Sequence, residues 1–323
     1  MTDQVEKPQT QPGWDDLATV VERQWPGVPF DAAPLDGGMT NRNWKVTVGT
    51  HAPQSYAVQL LLSDADAEHI GINRDTHAKA ITIADDLGIG PKLIAWHHDS
   101  PKAIISEYVE CVPPLSGPDR IQTAQLAAEA LSLLHTGTTG ADLPGWISDP
   151  FTGVEWLYDK ASRFAPELAT RFSSAVEINR RCQQARGPYP SCLLHADVSV
   201  GNVLTDGSRA YLIDWEYAGL GDKYYDCGDF VEKWNLNTQE ESAFVEGYRQ
   251  GESHEFAEAV IFMYRFTARL REGLWAASIS VVNFIDFDHV QYANVCLDRL
   301  AEIVDDPRFE QSVRIVDAER KIQ

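Results

Sequence analysis

Long apolar runs are missing from this chain of 323 residues. The longest uncharged stretch of interest, Gly273 to Ile285, is shorter than the ~20 residues a membrane helix needs, and Ser278, Ser280 and Asn283 interrupt it. The opening segment, MTDQVEKPQTQPGW, has no basic region followed by an apolar one, so no signal peptide is expected. Cysteine is scarce: Cys111, Cys182, Cys192, Cys227 and Cys296 are odd in number, and no pair has metal-ligand spacing. Reduced thiols in a cytoplasmic protein are the simplest account. Positive charge is also short. Lys and Arg number 27 against 48 Asp and Glu, for a net charge of −21. Such a chain repels a nucleic-acid backbone, which argues against general DNA or RNA binding. A cationic substrate suits the charge, although solubility accounts for an acidic surface equally well.

What is present has ordinary globular proportions, 44% hydrophobic and 23% charged, which excludes disorder and collagen-like architectures. The length suggests two domains or one large bilobal unit. Residues 1–13 are polar and rich in Pro and Gln, and read as a flexible tail. Leu17, Val20, Val21 and Trp25 recur at near-helical spacing until Pro26-Gly27. Strands are expected over 44–48 and 56–61, then a helix over 64–87, then strands over 92–96 and 103–108. After Pro113-Pro114 the pattern is mainly helical, over 120–135, 154–164, 167–186, 238–250, 256–278 and 286–305. The reading is an α+β, bilobal chain: a small N-terminal lobe with an antiparallel sheet over 14–109 and a larger helical lobe over 110–323. No internal repeat is visible.

A short non-helical island inside the helical half carries the chemistry. Cys192-Leu193-Leu194 leads into His195-Ala196-Asp197, and Asn202 follows five residues later. A hairpin turning at Asp206-Gly207 then ends at Asp214-Trp215-Glu216. Kinase-type phosphoryl transfer uses such an H-x-D-x-x-x-x-N loop followed by a strand-end Asp. One Asp orients the acceptor hydroxyl, while Asn and the second Asp hold Mg²⁺ against the phosphates. Asp or Asn at a hairpin is commonly only a turn residue. Here spacing, strand context and both metal-type positions agree.

LLHADVSVGNVL with AYLIDWEYAGLGDKYYDCGDF resembles the aminoglycoside phosphotransferase and choline kinase superfamily, small-molecule kinases with a protein-kinase-like fold. IDWEYAG, YYDCGDF, REGLWAAS and FDHVQYA look most like its bacterial choline/ethanolamine kinase branch. The resemblance runs from about Leu35 to about Leu300. It implies ATP and Mg²⁺ as cofactors, Asp197 as the catalytic residue with His195 supporting the loop, and Asn202 and Asp214 as metal ligands. Gly37, Gly38, Thr40 and Asn41 would form the turn over the nucleotide phosphates. Glu107 and Val109 would meet adenine through backbone groups. Asp226 reads as a scaffold residue, and His135 as a packed helix histidine.

The pattern departs from the family at two linked places. The strand cation that pairs with phosphates is replaced by Gln59, and its helix Glu partner by His77. Arg42, Lys45, Arg74 and Lys79 are the nearby cations, with Arg42 after the glycine turn an attractive substitute. On the acceptor side, Tyr225, Trp234 and Trp275 are aromatic candidates for a cation–π contact. Glu216, Glu272 and Asp226 are the acidic candidates, and Glu272 stands where that branch often has an aromatic. The acceptor expected is a small, cationic, hydroxylated metabolite: a choline- or ethanolamine-like amino alcohol first, an aminoglycoside or amino sugar second. A competing class is a nucleotide-binding pseudokinase with a regulatory role, resting on Gln59 and His77. No nucleic-acid or membrane partner is expected, and a homodimer stays open.

Overall fold

A computed structural model describes residues 12–35, 40–111, 119–140, 149–248, 251–280 and 287–321. Gly37 and Gly38, expected over the phosphates, lie outside the described residues. Helix α1 (Trp14–Gln24) precedes strands β1 (Phe30–Pro34), β2 (Arg42–Val48) and β3 (Gln54–Leu60). Helices α2 (Asp64–His69) and α3 (Arg74–Asp86) and strands β4 (Leu93–His97) and β5 (Ala103–Glu107) follow. The five strands form one antiparallel sheet in the order β1-β2-β3-β5-β4. Alternation gives the sheet two faces. Trp44, Val46 and Val58 pack against Leu17, Val20 and Val21 of α1. Asn43, Gln59 and Ile104, aligned across β2, β3 and β5, line the opposite face.

The helical half begins with α4 (Asp119–Thr138), α5 (Pro150–Phe164), α6 (Pro166–Thr170) and α7 (Ser173–Arg186). Strand β6 (Ser191–Leu194), a 3₁₀ turn at 200–202, β7 (Val203–Thr205), β8 (Ala210–Leu212) and β9 (Gly219–Asp222) make the island. Strand β6 pairs with β9, and β7 with β8, both antiparallel. Helices α8 (Tyr224–Lys233), α9 (Thr238–Tyr248), α10 (His254–Ile279), α11 (His289–Asp305) and α12 (Pro307–Arg320) complete the chain. A central helix, α10, is buried along most of its length and packs against α5, α8, α11 and α12. At Gly228 of α8, a Cβ would stand 2.6 Å from the Tyr264 Cβ of α10, so only glycine allows this approach. No described helix is long and apolar enough to cross a membrane. All five cysteines are free.

The α+β, bilobal fold matches the expectation, with local corrections. The helix expected over 64–87 breaks at Gly71, whose φ of 90° is costly for other residues. Asn73 then caps α3, its side chain accepting the Thr76 N–H at 2.9 Å. The helix expected over 167–186 likewise splits into α6 and α7. Strand β1 escaped the sequence reading because FDAAP has little β propensity and ends in proline. It is an edge strand, where proline costs no ladder bond. Helices α8 and α12 were also missed, although Asp306-Pro307 is a legible start for the second: Asp306 accepts the Arg308 N–H at 2.9 Å.

Candidate active site

Three short elements put the motif residues together. The segment after β6 turns sharply at Ala196, which holds a positive φ of 62°. Asp226, fully buried at the start of α8, fixes that turn. Its two oxygens accept the N–H groups of His195 and Ala196, each at 2.8 Å. His135 of α4 lies 3.0 Å from the same carboxylate, and the other nitrogen of its ring meets the Tyr248 hydroxyl at 2.8 Å. Asp229, one turn further along α8, accepts the Val198 N–H at 2.7 Å. Burial pushes the Asp226 carboxyl up, but the His135 and loop hydrogen bonds outweigh it and hold the group below its usual range. His195 is buried against Trp215, with ring centroids 4.5 Å apart. Its Nε2 donates to the Ile213 carbonyl at 2.8 Å, which leaves Nδ1 to accept the Asp197 N–H at 3.3 Å. It therefore ties the loop to the hairpin.

Asp197 is held from both sides. Asn202 Nδ2 donates to its Oδ2 at 2.9 Å, and Lys233 Nζ to its Oδ1 at 2.5 Å. Burial raises its pKa, but Lys233 outweighs that and keeps the group low and ionised. Asp214, at a φ of 64°, faces the same space. Its carboxyl is raised well above the ordinary range by burial, then by the Glu216 and Asp197 charges. Glu216 is also raised by burial, against the hydrogen bonds of Thr40 and Asn41. This is a local excess of buried negative charge. A cation would relieve it, and Asn202, with Nδ2 turned to Asp197, has its amide oxygen left for one. Among the described residues no cluster of three His, Cys, Asp or Glu forms a closed metal cage. Two oxygen donors suit Mg²⁺, which keeps water and phosphate as its other ligands.

A cavity of about 300 Å³ opens from Asn202 and Asp214 toward the segment after β5. Gln59, Ile104, Leu204 and Leu212 line it, with Glu107 and Val109 at its far end. The Glu107 N–H is used by the Lys92 carbonyl at 2.9 Å. Gln59 Nε2 donates to Asp214 Oδ1 at 3.1 Å, so the residue in the expected cation position touches the expected metal ligand. His77 is fully buried, and burial together with the Arg74 charge pushes it down to about 3, so it is neutral. Arg74 supplies the nearest charge: its Nη1 lies 3.6 Å from Glu216 Oε2 and 3.3 Å from His77 Nδ1. Arg42 does not reach the cavity. It shares the Trp44 face of β2, and its side chain lies against Gly13. Lys45 is drawn to Glu110 at 2.8 Å and to the Tyr108 ring. Thr40 hydrogen-bonds Glu216, and Asn41 Oδ1 accepts the Leu62 N–H at 3.3 Å.

The acceptor-side candidates are placed less evenly. Glu272 of α10 meets Lys233 at 2.9 Å, Arg269 at 3.3 Å and the Tyr292 hydroxyl. The Tyr225 hydroxyl accepts from Arg271 at 3.1 Å, and that guanidinium lies 5.3 Å from the ring centre. Trp234 is packed into the core on Phe230. Trp275 donates to the Tyr217 hydroxyl at 3.1 Å, beside the Ala67, Ile70 and Ile72 cluster. The sequence reading missed Lys233 and Asp229. Their i,i+4 spacing, acid before base on a helix, was the available signal.

Comparison with known proteins bears on the family and the fold. Residues 31–268 match the phosphotransferase enzyme family, well over half of the chain, and the protein belongs to that family. A LicA homolog of Metamycoplasma hominis is 29% identical over 96 residues, which cover 30% of this chain and 37% of the relative. The first curated relatives are matched over only 29–37% of their length. A probable choline kinase of Arabidopsis thaliana is 22% identical over 87% of both chains. The crystal structure of a choline/ethanolamine kinase family protein from Mesorhizobium loti superposes with a TM-score of 0.75 at 22% identity, covering 94% of this chain and 99% of its own.

Proposed function

We propose that this protein is a small-molecule kinase that transfers the γ-phosphoryl group of ATP to a hydroxyl of a small metabolite. The observation that carries the reading is a cavity of about 300 Å³ lined by both the sheet and the helical half, with Asn202 and Asp214 in its wall and Asp197 joined to Asn202 by a hydrogen bond of 2.9 Å. Asp197 is ionised and positioned to accept a hydrogen bond from the acceptor hydroxyl and to take its proton as the bond to phosphorus forms. Asn202 and Asp214 would hold Mg²⁺, which neutralises phosphate charge when bound. Arg74 adds fixed positive charge beside Glu216. Val109 and Leu204 bound the space for the base. The competing pseudokinase reading gains nothing from Gln59, because that residue braces Asp214 instead of leaving it unsupported. The family resemblance makes amino alcohols the first acceptors to screen and aminoglycosides the second.

Two variants test the division of labour. Asp214→Ala should abolish Mg²⁺-dependent ATP binding in calorimetry. Asp197→Asn should keep that binding and lower kcat by orders of magnitude with any acceptor the wild type uses. Equal binding defects in the two variants would overturn the assignment.

A further inference from the structure

The acceptor side of Asp197 holds a buried cation of the protein's own. Lys233, the last residue of α8, is 11% exposed. Its Nζ lies 2.5 Å from Asp197 Oδ1, 2.9 Å from Glu272 Oε1 and 3.1 Å from Asp229 Oδ1. An ammonium has three N–H donors and no acceptor, and here three carboxylates surround it. Burial alone would favour the neutral amine. The neighbouring carboxyl groups, Asp197 first, outweigh it and hold the pKa well above its ordinary value, so the group stays charged.

The cage is braced from outside. Asp229 is committed to the Val198 N–H. Glu232, the neighbour of Lys233, is gripped by Arg265 at 3.1 Å, Arg269 at 3.2 Å and Arg299 at 2.6 Å, which ties α8 to α10 and α11. Glu272 also holds Arg269 and Tyr292. The ring of Tyr225 already faces the Arg271 guanidinium. A substrate ammonium recognised by Glu272 or Asp229 would have to approach within roughly 4–5 Å of Lys233, where like charges in a partly dry pocket repel strongly.

We propose that Lys233 determines acceptor selectivity: it fills the cation position between Asp197, Asp229 and Glu272, so the site takes a hydroxyl of an uncharged alcohol or polyol and discriminates against an ammonium beside that hydroxyl. The inference rests on the kinase reading above and narrows it. It displaces the cationic acceptor expected from the sequence, because the carboxylate meant for the substrate serves a lysine instead.

Choline and 3,3-dimethylbutan-1-ol have the same shape and differ by nitrogen for carbon, which makes them a matched probe pair. Affinity for each is measured by calorimetry on the protein loaded with Mg²⁺ and a non-hydrolysable ATP analogue. The wild type should favour the neutral alcohol by about ten-fold or more. Lys233→Met should shift the ratio toward choline by ten- to a hundred-fold, because the freed carboxylates attract the cation. Lys233→Arg should keep the wild-type preference, which separates charge from packing. Lys233→Met with Glu272→Gln removes a cation and an anion together, protects the test if the single variant folds poorly, and should return most of the preference. The ratio is internal to each variant, so a general loss of affinity cancels. A wild type that binds choline as well as or better than the neutral alcohol, or a Lys233→Met ratio equal to wild type, overturns the inference. Failure of the wild type to bind Mg²⁺ and the nucleotide is a separate result, and it sinks the kinase reading itself.

Discussion

Asp226→Asn is the sharpest perturbation of the loop that carries Asp197. The wild-type carboxylate takes two backbone N–H groups and the His135 side chain while fully buried. The asparagine keeps one acceptor oxygen and turns the other position into an NH₂ that faces a loop N–H. An unsatisfied buried donor costs ~1–3 kcal/mol, and the surviving bonds lose their charge assistance. The sum is about 3–5 kcal/mol, a large part of the ~5–15 kcal/mol by which folded domains are stable. At roughly 2–4 °C per kcal/mol, Tm should fall by about 6–20 °C. Activity should fall further than stability suggests. Ala196 at φ 62° is a strained position that the Asp226 bond sustains, and its relaxation would swing Asp197. The pH dependence has a definite sign. The folded Asp226 carboxyl is depressed, so its contribution is complete above the unfolded value near ~4 and disappears as pH falls through the folded value. The stability gap between wild type and variant, from urea midpoints, should be flat above about pH 5 and narrow in acid. A variant with the wild-type midpoint and kcat would refute the reasoning, as would a gap that widens in acid.

Gly228→Ala should destabilise by about 1–3 kcal/mol or more, because the new methyl meets the Cβ and backbone of Tyr264 at 2.6–2.7 Å; a urea midpoint equal to wild type would mean that α8 and α10 are not so tightly apposed. Gln59→Lys places an ammonium beside Asp214 and should raise ATP affinity measured without Mg²⁺ several-fold, read by calorimetry; unchanged affinity would mean that position 59 does not face the phosphates.

The legible part of the candidate site is the part that is local in sequence. His195, Asp197, Asn202 and Asp214 lie within one loop and one hairpin, so their spacing nearly determines their geometry. The sheet was readable for the same reason: alternation at Trp44, Val46 and Val48 requires no knowledge of distant residues. What stayed hidden depends on which helices meet. Glu272 looks like a free carboxylate along α10, and only the close approach at Gly228 brings Lys233 of α8 against it. Arg42 looked well placed because it follows the glycine turn. Strand alternation nevertheless turns it to the face opposite Asn43 and Gln59, and the residue where the strand begins was the uncertain step. The break at Gly71 carries the Gly-x-Asn signal of a stop and a new cap, which the apolar periodicity through 64–87 masked.

The paired loss at Gln59 and His77 looks different once Arg74 is considered. A lysine on β3 would need a carboxylate on α3 to hold it. With glutamine on the strand, a glutamate at 77 would be a buried anion with no strand partner, and a neutral histidine is the stable occupant. Arg74 sits one turn earlier on the same helix and meets Glu216, two residues beyond Asp214. Positive charge therefore stands at the start of α3, on Arg74, and a second cation, Lys233, stands on α8 at Asp197. Both cations beside the candidate site are carried by helices and not by the sheet. One consequence is a coupling. The Asn73 cap fixes where α3 begins, and with it how far Arg74 can reach toward Glu216. The strength of phosphate binding should therefore depend on the short break between α2 and α3, which lies outside the lining of the cavity.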